Sequence, residues 1–105
     1  MEAIYLRMFT TEKRRHGGAL LYEWILETAQ RMGIEGGSAL RAIAGFGRHG
    51  RMHEEGFFEL AGDLPVELVF VLAPEDADRL LARIAAEGLS LMYFKSRVER
   101  GFTGH

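Results

Sequence analysis

The sequence predicts an α+β fold in which an antiparallel sheet carries two helices on one face. Three observations lead to this reading. Short runs at residues 3–9, 38–46, 66–72 and 89–94 alternate or cluster apolar residues as strands do. Two longer stretches, 19–32 and 74–87, repeat apolar residues at helical spacing instead. Glycine or proline punctuates most of the joins between them.

In residues 3–9, Ile4, Leu6 and Met8 oppose Tyr5, Arg7 and Phe9, a period-two pattern with β-branched and aromatic content. Residues 10–18 are polar and basic, end in Gly17-Gly18, and read as a loop. A helix is expected over 19–32, with Leu21, Ile25, Ala29 and Met32 on its apolar face and Glu23, Glu27, Gln30 and Arg31 toward water. Gly33 stands where a glycine commonly ends a helix. The second strand covers 38–46, with Leu40, Ala42, Ala44 and Phe46 opposite Ala39, Arg41 and Ile43. Gly45, Gly47 and Gly50, interleaved with Arg48, His49 and Arg51, mark a mobile basic segment, after which residues 53–60 regain extended character.

Gly62-Asp63-Leu64-Pro65 reads as a turn or bulge leading into the clearest strand, 66–72. Pro74 suits the first helical position and Glu75-Asp76 the acidic first turn of a second helix. Leu80, Leu81, Ile84 and Ala85 form its apolar face, and Gly88 closes it. Residues 89–94 supply the last strand, and the tail to His105 is either frayed or docked on a neighbour. The order β-α-β-β-α-β is the ferredoxin-like sandwich, in which right-handed crossovers put both helices on one sheet face.

A chain of 105 residues with 48% hydrophobic content fits one domain, residues 1–105, with a real core. The absence of cysteine excludes disulfide and thiol chemistry and favours a reducing compartment. A formal charge of -2 gives no overall field for nucleic acid or an anionic membrane. The acidic start, Met1-Glu2, does not fit a secretion signal. No run approaches the roughly 20 apolar residues of a membrane span. A cytoplasmic location without membrane insertion is therefore expected.

The patterning also poses a physical problem. Helices cover one face of the sheet, yet Val69, Val71, Met92 and Phe94 put apolar groups on the other, against Val66, Leu68, Phe70 and Leu72 inside. Large exposed apolar patches are rare on soluble monomers, so an oligomer is expected in preference to loops and a tail folded back over this face, since those are glycine-rich and charged.

Several segments, in order, resemble a known family. Arg15-His16-Gly17-Gly18 is followed by Leu21-Tyr22-Glu23, by Leu40-Arg41 with Ala44-Gly45-Phe46-Gly47, by Arg51-Met52-His53 and by Asp63-Leu64-Pro65-Val66. Together they resemble the bacterial and archaeal family called domain of unknown function 190, which looks like a branch of the PII-like superfamily. The resemblance implies a PII-like, ferredoxin-like fold and a homotrimer whose sheets line its centre. It also implies that residues 47–56 stand in place of the partner-contacting T-loop. PII proteins bind adenine nucleotides between subunits and regulate enzymes and transporters. One departure is plain: Ala86-Glu87-Gly88-Leu89 joins the second helix to the last strand, short and acidic, where PII chains carry a basic, glycine-rich phosphate loop.

Candidate ligand contacts follow from residue chemistry. Arg15, His16, Gly17 and Gly18 precede a helix, and N–H groups at a helix start beside fixed cations suit a phosphate or carboxylate. Arg41, amid small apolar residues, needs a ligand, an internal partner such as Glu23 or Glu67, or a head that reaches solvent at the sheet edge. Gly45, Gly47, Arg48, Arg51 and His53 combine permissive backbone with basic or titratable groups, suited to an anion or to a protein partner. His16, His49, His53 and His105 lack HExxH spacing and there is no thiolate, so no metal site is assigned. Ser38, Ser90 and Ser96 lack nucleophile spacing. Tyr22-Glu23 could line a pocket, and Trp24 is expected to pack.

Taken with these residues, the resemblance implies a non-catalytic, PII-like regulatory oligomer that binds a small anion, with an adenine nucleotide as one candidate, and touches a transporter or enzyme through residues 47–56. The alternatives are a metal-responsive trimer like the cation-tolerance proteins, using His16, His49 or His53, and a ligand-free accessory subunit of a membrane transporter or channel.

Overall fold

A computed structural model describes residues 1–46 and 63–104. The elements are β1 (Glu2–Thr11), β2 (Arg15–His16), β3 (Ala19–Leu20), α1 (Leu21–Arg31), β4 (Ser38–Arg41), β5 (Pro65–Leu72), α2 (Pro74–Ala86) and β6 (Tyr93–Glu99). Four strands form one sheet in the order β4-β5-β1-β6, with every neighbouring pair antiparallel. Both helices pack on the face that carries Leu6, Met8, Leu68 and Phe70, each at most 1% exposed. This is the ferredoxin-like arrangement that the β-α-β-β-α-β order predicts.

The core follows from alternation. Ile4, Leu6, Met8 and Thr10 turn inward from β1, and Val66, Leu68, Phe70 and Leu72 from β5. Leu21, Ile25 and Ala29 meet them from α1, and Ala77, Leu80 and Ile84 from α2. Helix α1 ends as its glycine predicts. Gly33 has φ of 86°, its N–H donates to the Gln30 carbonyl, and the Ile34 N–H reaches back to the Ala29 carbonyl. That is a Schellman closure, with Ile34 and Ala29 both in the core beneath it.

Four boundaries differ from the sequence expectation. Residues 10–18 are not one loop: β2 and β3 form a short ribbon joined by Gly17 and Gly18 at φ of 60° and 86°, as a type I′ turn demands. The ribbon takes Ala19 and Leu20, so α1 starts at Leu21 and not at residue 19. The second strand stops at Arg41 rather than at residue 46, with one further bond from the Ala42 N–H to the Pro65 carbonyl. The last strand lies at Tyr93–Glu99, not 89–94. Leu89 and Leu91 pack against the core from an irregular connection, and β6 owes its extension to backbone pairing with β1. Ala85, assigned to the buried face of α2, is exposed, and Ala77 is buried. Residues 53–60 lie outside the described residues. The start of the tail is tied down, since the Arg100 N–H donates to the Met1 carbonyl at 2.8 Å.

The face away from the helices is mixed. Tyr5, Arg7 and Phe9 from β1 lie beside Glu67, Val69 and Val71 of β5, with Leu40 and Phe94 on the flanking strands. Phe94 is 44% exposed and Leu40 51%. Amid these apolar groups, Arg7 Nη2 donates to Glu67 Oε1 at 2.5 Å, and its guanidinium lies 5.0 Å from the Phe94 ring centroid and 5.4 Å from that of Phe9. The apolar surface that alternation predicts is present, with an ion pair set into it.

Candidate functional site

Arg41 closes the edge strand β4 opposite Val66, whose side chain is buried on the helix side. The same register turns Arg41 to that side, at the rim of the sheet. The alternation of β1 carries Glu12, just past its end, onto the same side. The Glu12 N–H donates to the Leu64 carbonyl at 2.8 Å, and the next N–H, of Lys13, donates to Asp63 Oδ1 at 2.8 Å. Across this rim Arg41 Nη1 donates to Glu12 Oε2 at 2.7 Å. Tyr22 from the first turn of α1, with Ala39 and Val66, completes the wall of a cavity of about 280 Å³.

The partners expected for Arg41, Glu23 and Glu67, are thus corrected to Glu12. Glu67 pairs in register with Leu40, on the opposite face from Arg41, and is held by Arg7. Glu12 lies beyond a first strand expected over residues 3–9, whereas the strand runs on to Thr11. Continuing the alternation of Met8 and Thr10 by one more step would have placed it beside the helices.

The ribbon serves a second cluster. His16 Nε2 donates to Glu87 Oε1 at 2.8 Å, and Arg83 Nη1 donates to Glu87 Oε2 at 2.7 Å. A carboxylate only accepts, so the imidazole must carry its proton on Nε2 here. Trp24 of α1 lies beside both partners of Glu87: its ring centroid is 4.9 Å from that of His16, edge to face, and 5.4 Å from the Arg83 guanidinium carbon. The Arg83 hydrogen bond, and after it that of His16, hold the Glu87 carboxyl below the usual glutamate range. An apolar groove of about 460 Å³ runs between the end of α2 and the start of β6, lined by Met8, Leu81, Ile84, Leu89, Leu91 and Tyr93 among others.

The model of the family DUF190, described as uncharacterized ACR, matches residues 3–98. The chain is a DUF190 protein. It is 35% identical over 79 residues to a UPF0166 protein of Aquifex aeolicus, covering 75% of each chain. A UPF0166 protein of Methanocaldococcus jannaschii is 30% identical over 84 residues, 80% of this chain and 77% of that one. In fold it is similar to a crystal structure from Thermus thermophilus, named as a candidate PII-like signaling protein. The TM-score is 0.62 and the identity 20%, covering 93% of this chain and 88% of the other. At 20% identity that likeness shows a shared fold, and the family match shows a DUF190 protein.

The ligand residues expected from sequence do not converge on one point. Arg41 faces the cavity. Arg15 Nη2 donates to the Gly18 carbonyl within the ribbon turn, and His16 is taken up by Glu87. Gly17 and Gly18 shape that turn and do not form the helix start expected of them: the first helical N–H, of Leu21, donates to the Arg14 carbonyl at 2.7 Å. Gly45 lies close to Pro65, whose Cγ would be 3.4 Å from an added Cβ. Gly47, Arg48, Arg51 and His53, with the rest of the 47–56 segment, lie outside the described residues, as does His49. Among the described residues no three histidine or carboxylate groups gather as metal ligands, and no helix is long and apolar enough to cross a membrane.

Proposed function

We propose that this DUF190 protein is an oligomeric, PII-like regulatory module, non-catalytic and cytoplasmic, built as one domain over residues 1–105. It binds a small anionic ligand, an adenine nucleotide being the first candidate, through the guanidinium of Arg41. The observation that carries this reading is the cavity at the sheet rim, where Arg41 and Tyr22 put ionic and hydroxyl chemistry beside apolar Val66 and Ala39. A guanidinium offers five N–H donors in a planar fork, the geometry that recognises the oxygens of a phosphate or carboxylate.

Assembly follows from the open sheet face. Phe94, Val71 and Leu40 are substantially exposed there, and burying them against copies of the chain removes apolar surface from water. A homotrimer with this face at its centre would set each rim cavity against a neighbouring subunit. Residues 47–56, with Gly47, Arg48, Arg51 and His53, would then contact a protein partner such as a transporter or enzyme, and Arg15 and His16 would flank the subunit cleft.

Sedimentation velocity at micromolar concentration, paired with calorimetry against ATP, ADP and AMP, tests the proposal. A trimer that binds at least one nucleotide, with binding lost in Arg41→Gln, is the expected result. A soluble single copy, or a trimer that binds none of the three, overturns it.

A further inference from the structure

We infer that Glu12 is a built-in counter-anion that occupies the Arg41 site when it is empty and must be displaced by the anionic group of an incoming ligand. The inference rests on the reading of Arg41 as the ligand contact and adds a regulatory element to that site. Of the two partners, Glu12 is the anchored one. Its main chain is fixed to the strand entering β5 through the Leu64 carbonyl, its neighbour Lys13 is fixed through Asp63, and its side chain is 27% exposed. The Arg41 side chain is 61% exposed and reaches across the rim to meet it. A carboxylate presents the same planar pair of acceptor oxygens that a guanidinium recognises in a ligand carboxylate, and much of what it recognises in a phosphate. Paired with Arg41, Glu12 therefore stands where ligand oxygens would stand.

The strength of the contact decides whether it locks the site or tunes it. An ion pair this exposed is weak, because water and salt screen it and a long side chain must be held still. A ligand phosphate can displace it, at the cost of the lost pair and of a carboxylate left beside the new anion. Both effects weaken anion binding and neither touches a neutral ligand. Glu12 thus sets the affinity threshold of the site and discriminates by charge.

Calorimetry on the full chain with ATP, inorganic phosphate and adenosine tests this in wild type, Glu12→Gln, Arg41→Gln and the double variant. Glu12→Gln is expected to tighten ATP and phosphate binding by about three- to tenfold, the scale of an exposed ion pair together with a nearby like charge. Adenosine affinity should not change, and Arg41→Gln should abolish the gain in the double variant. Should Glu12→Gln fail to fold, Glu12→Asp, which keeps the charge but withdraws it, should tighten ATP binding to a smaller extent. Equal or weaker ATP binding in the Glu12 variants, with Arg41→Gln still defective, overturns the counter-anion role and leaves Arg41 as the contact. Arg41→Gln binding ATP as wild type does, or no binding by any variant, overturns the site and this inference together.

Discussion

Gly37 lies directly against the ring of Phe70. A Cβ added at Gly37 would overlap the Cε1 and Cδ1 atoms of that ring, although Gly37 itself is at the surface just before β4. Phe70 is 1% exposed and among the largest fully buried side chains, so it has no free space into which to retreat. Gly37→Ala should therefore cost about 1–3 kcal/mol, the range for overpacking a close-packed core. Gly36→Ala, with nothing within 4 Å of the added carbon, should stay within about 0.5 kcal/mol of wild type. Urea denaturation at fixed protein concentration compares the two. Equal stabilities would mean that the Phe70 ring yields.

The open sheet face gives a second prediction. Phe94 packs tilted on Phe9 with ring centroids 5.8 Å apart, and both flank the Arg7 guanidinium. If copies of the chain bury this face, Phe94→Glu places a charge in the interface and should shift the particle mass toward the monomer. Gln30→Glu, an exposed change on α1, should not. Light scattering after size exclusion reads both. An unchanged mass for Phe94→Glu would locate self-association elsewhere.

Arg7 and Glu67 on the same face test how an ion pair behaves among apolar groups. Their side chains are 27% and 32% exposed, and Arg7 Nε is buried without a partner among the described residues. Removing Glu67 alone leaves a half-buried cation with its carboxylate gone, so Glu67→Gln should destabilise by about 1–2 kcal/mol. Replacing both, as Arg7→Met with Glu67→Leu, should recover most of that loss, because apolar pairs often substitute for partly buried ion pairs without penalty. A thermal-melt cycle over the single and double variants measures the coupling. Additive losses would deny the pair any mutual stabilisation.

Much of the fold was legible because burial wrote itself into period and punctuation. The strand Pro65–Leu72 alternates buried and less buried residues along its length, and Gly33 and Gly88 take the positive φ that their positions after the helices predict. Strand β6 was misplaced because it is an edge strand whose Lys95, Arg97 and Glu99 carry no apolar alternation. The extension of those residues comes from hydrogen bonds to β1, which leave no trace in hydropathy. The site was half legible. Arg41 stood out as a charge among small apolar residues, whereas Glu12 was hidden in a basic stretch and acquires meaning only from the register that brings β1 and β4 to one rim. His16 reads from sequence as a candidate ligand contact, and nothing in the sequence places it beside Glu87, 71 residues away.

That contact yields a prediction in acid. Arg83 first, and His16 after it, lower the Glu87 pKa in the folded protein. A carboxyl with a depressed folded pKa contributes its stabilisation fully above the unfolded value and loses it as pH falls through the folded one. The contribution of the Glu87 carboxyl to the stability advantage of wild type over Glu87→Gln should therefore be fully present above about pH 4.3, the ordinary glutamate value, and shrink as pH falls below it. Trp24, the single tryptophan of the chain, touches both His16 and Arg83 and so reports the opening of the cluster directly. Wild-type emission should change over the same acid range, and Glu87→Gln should show the altered emission already at neutral pH. An acid response of Trp24 identical in the two proteins would show that Glu87 does not hold the ribbon to α2.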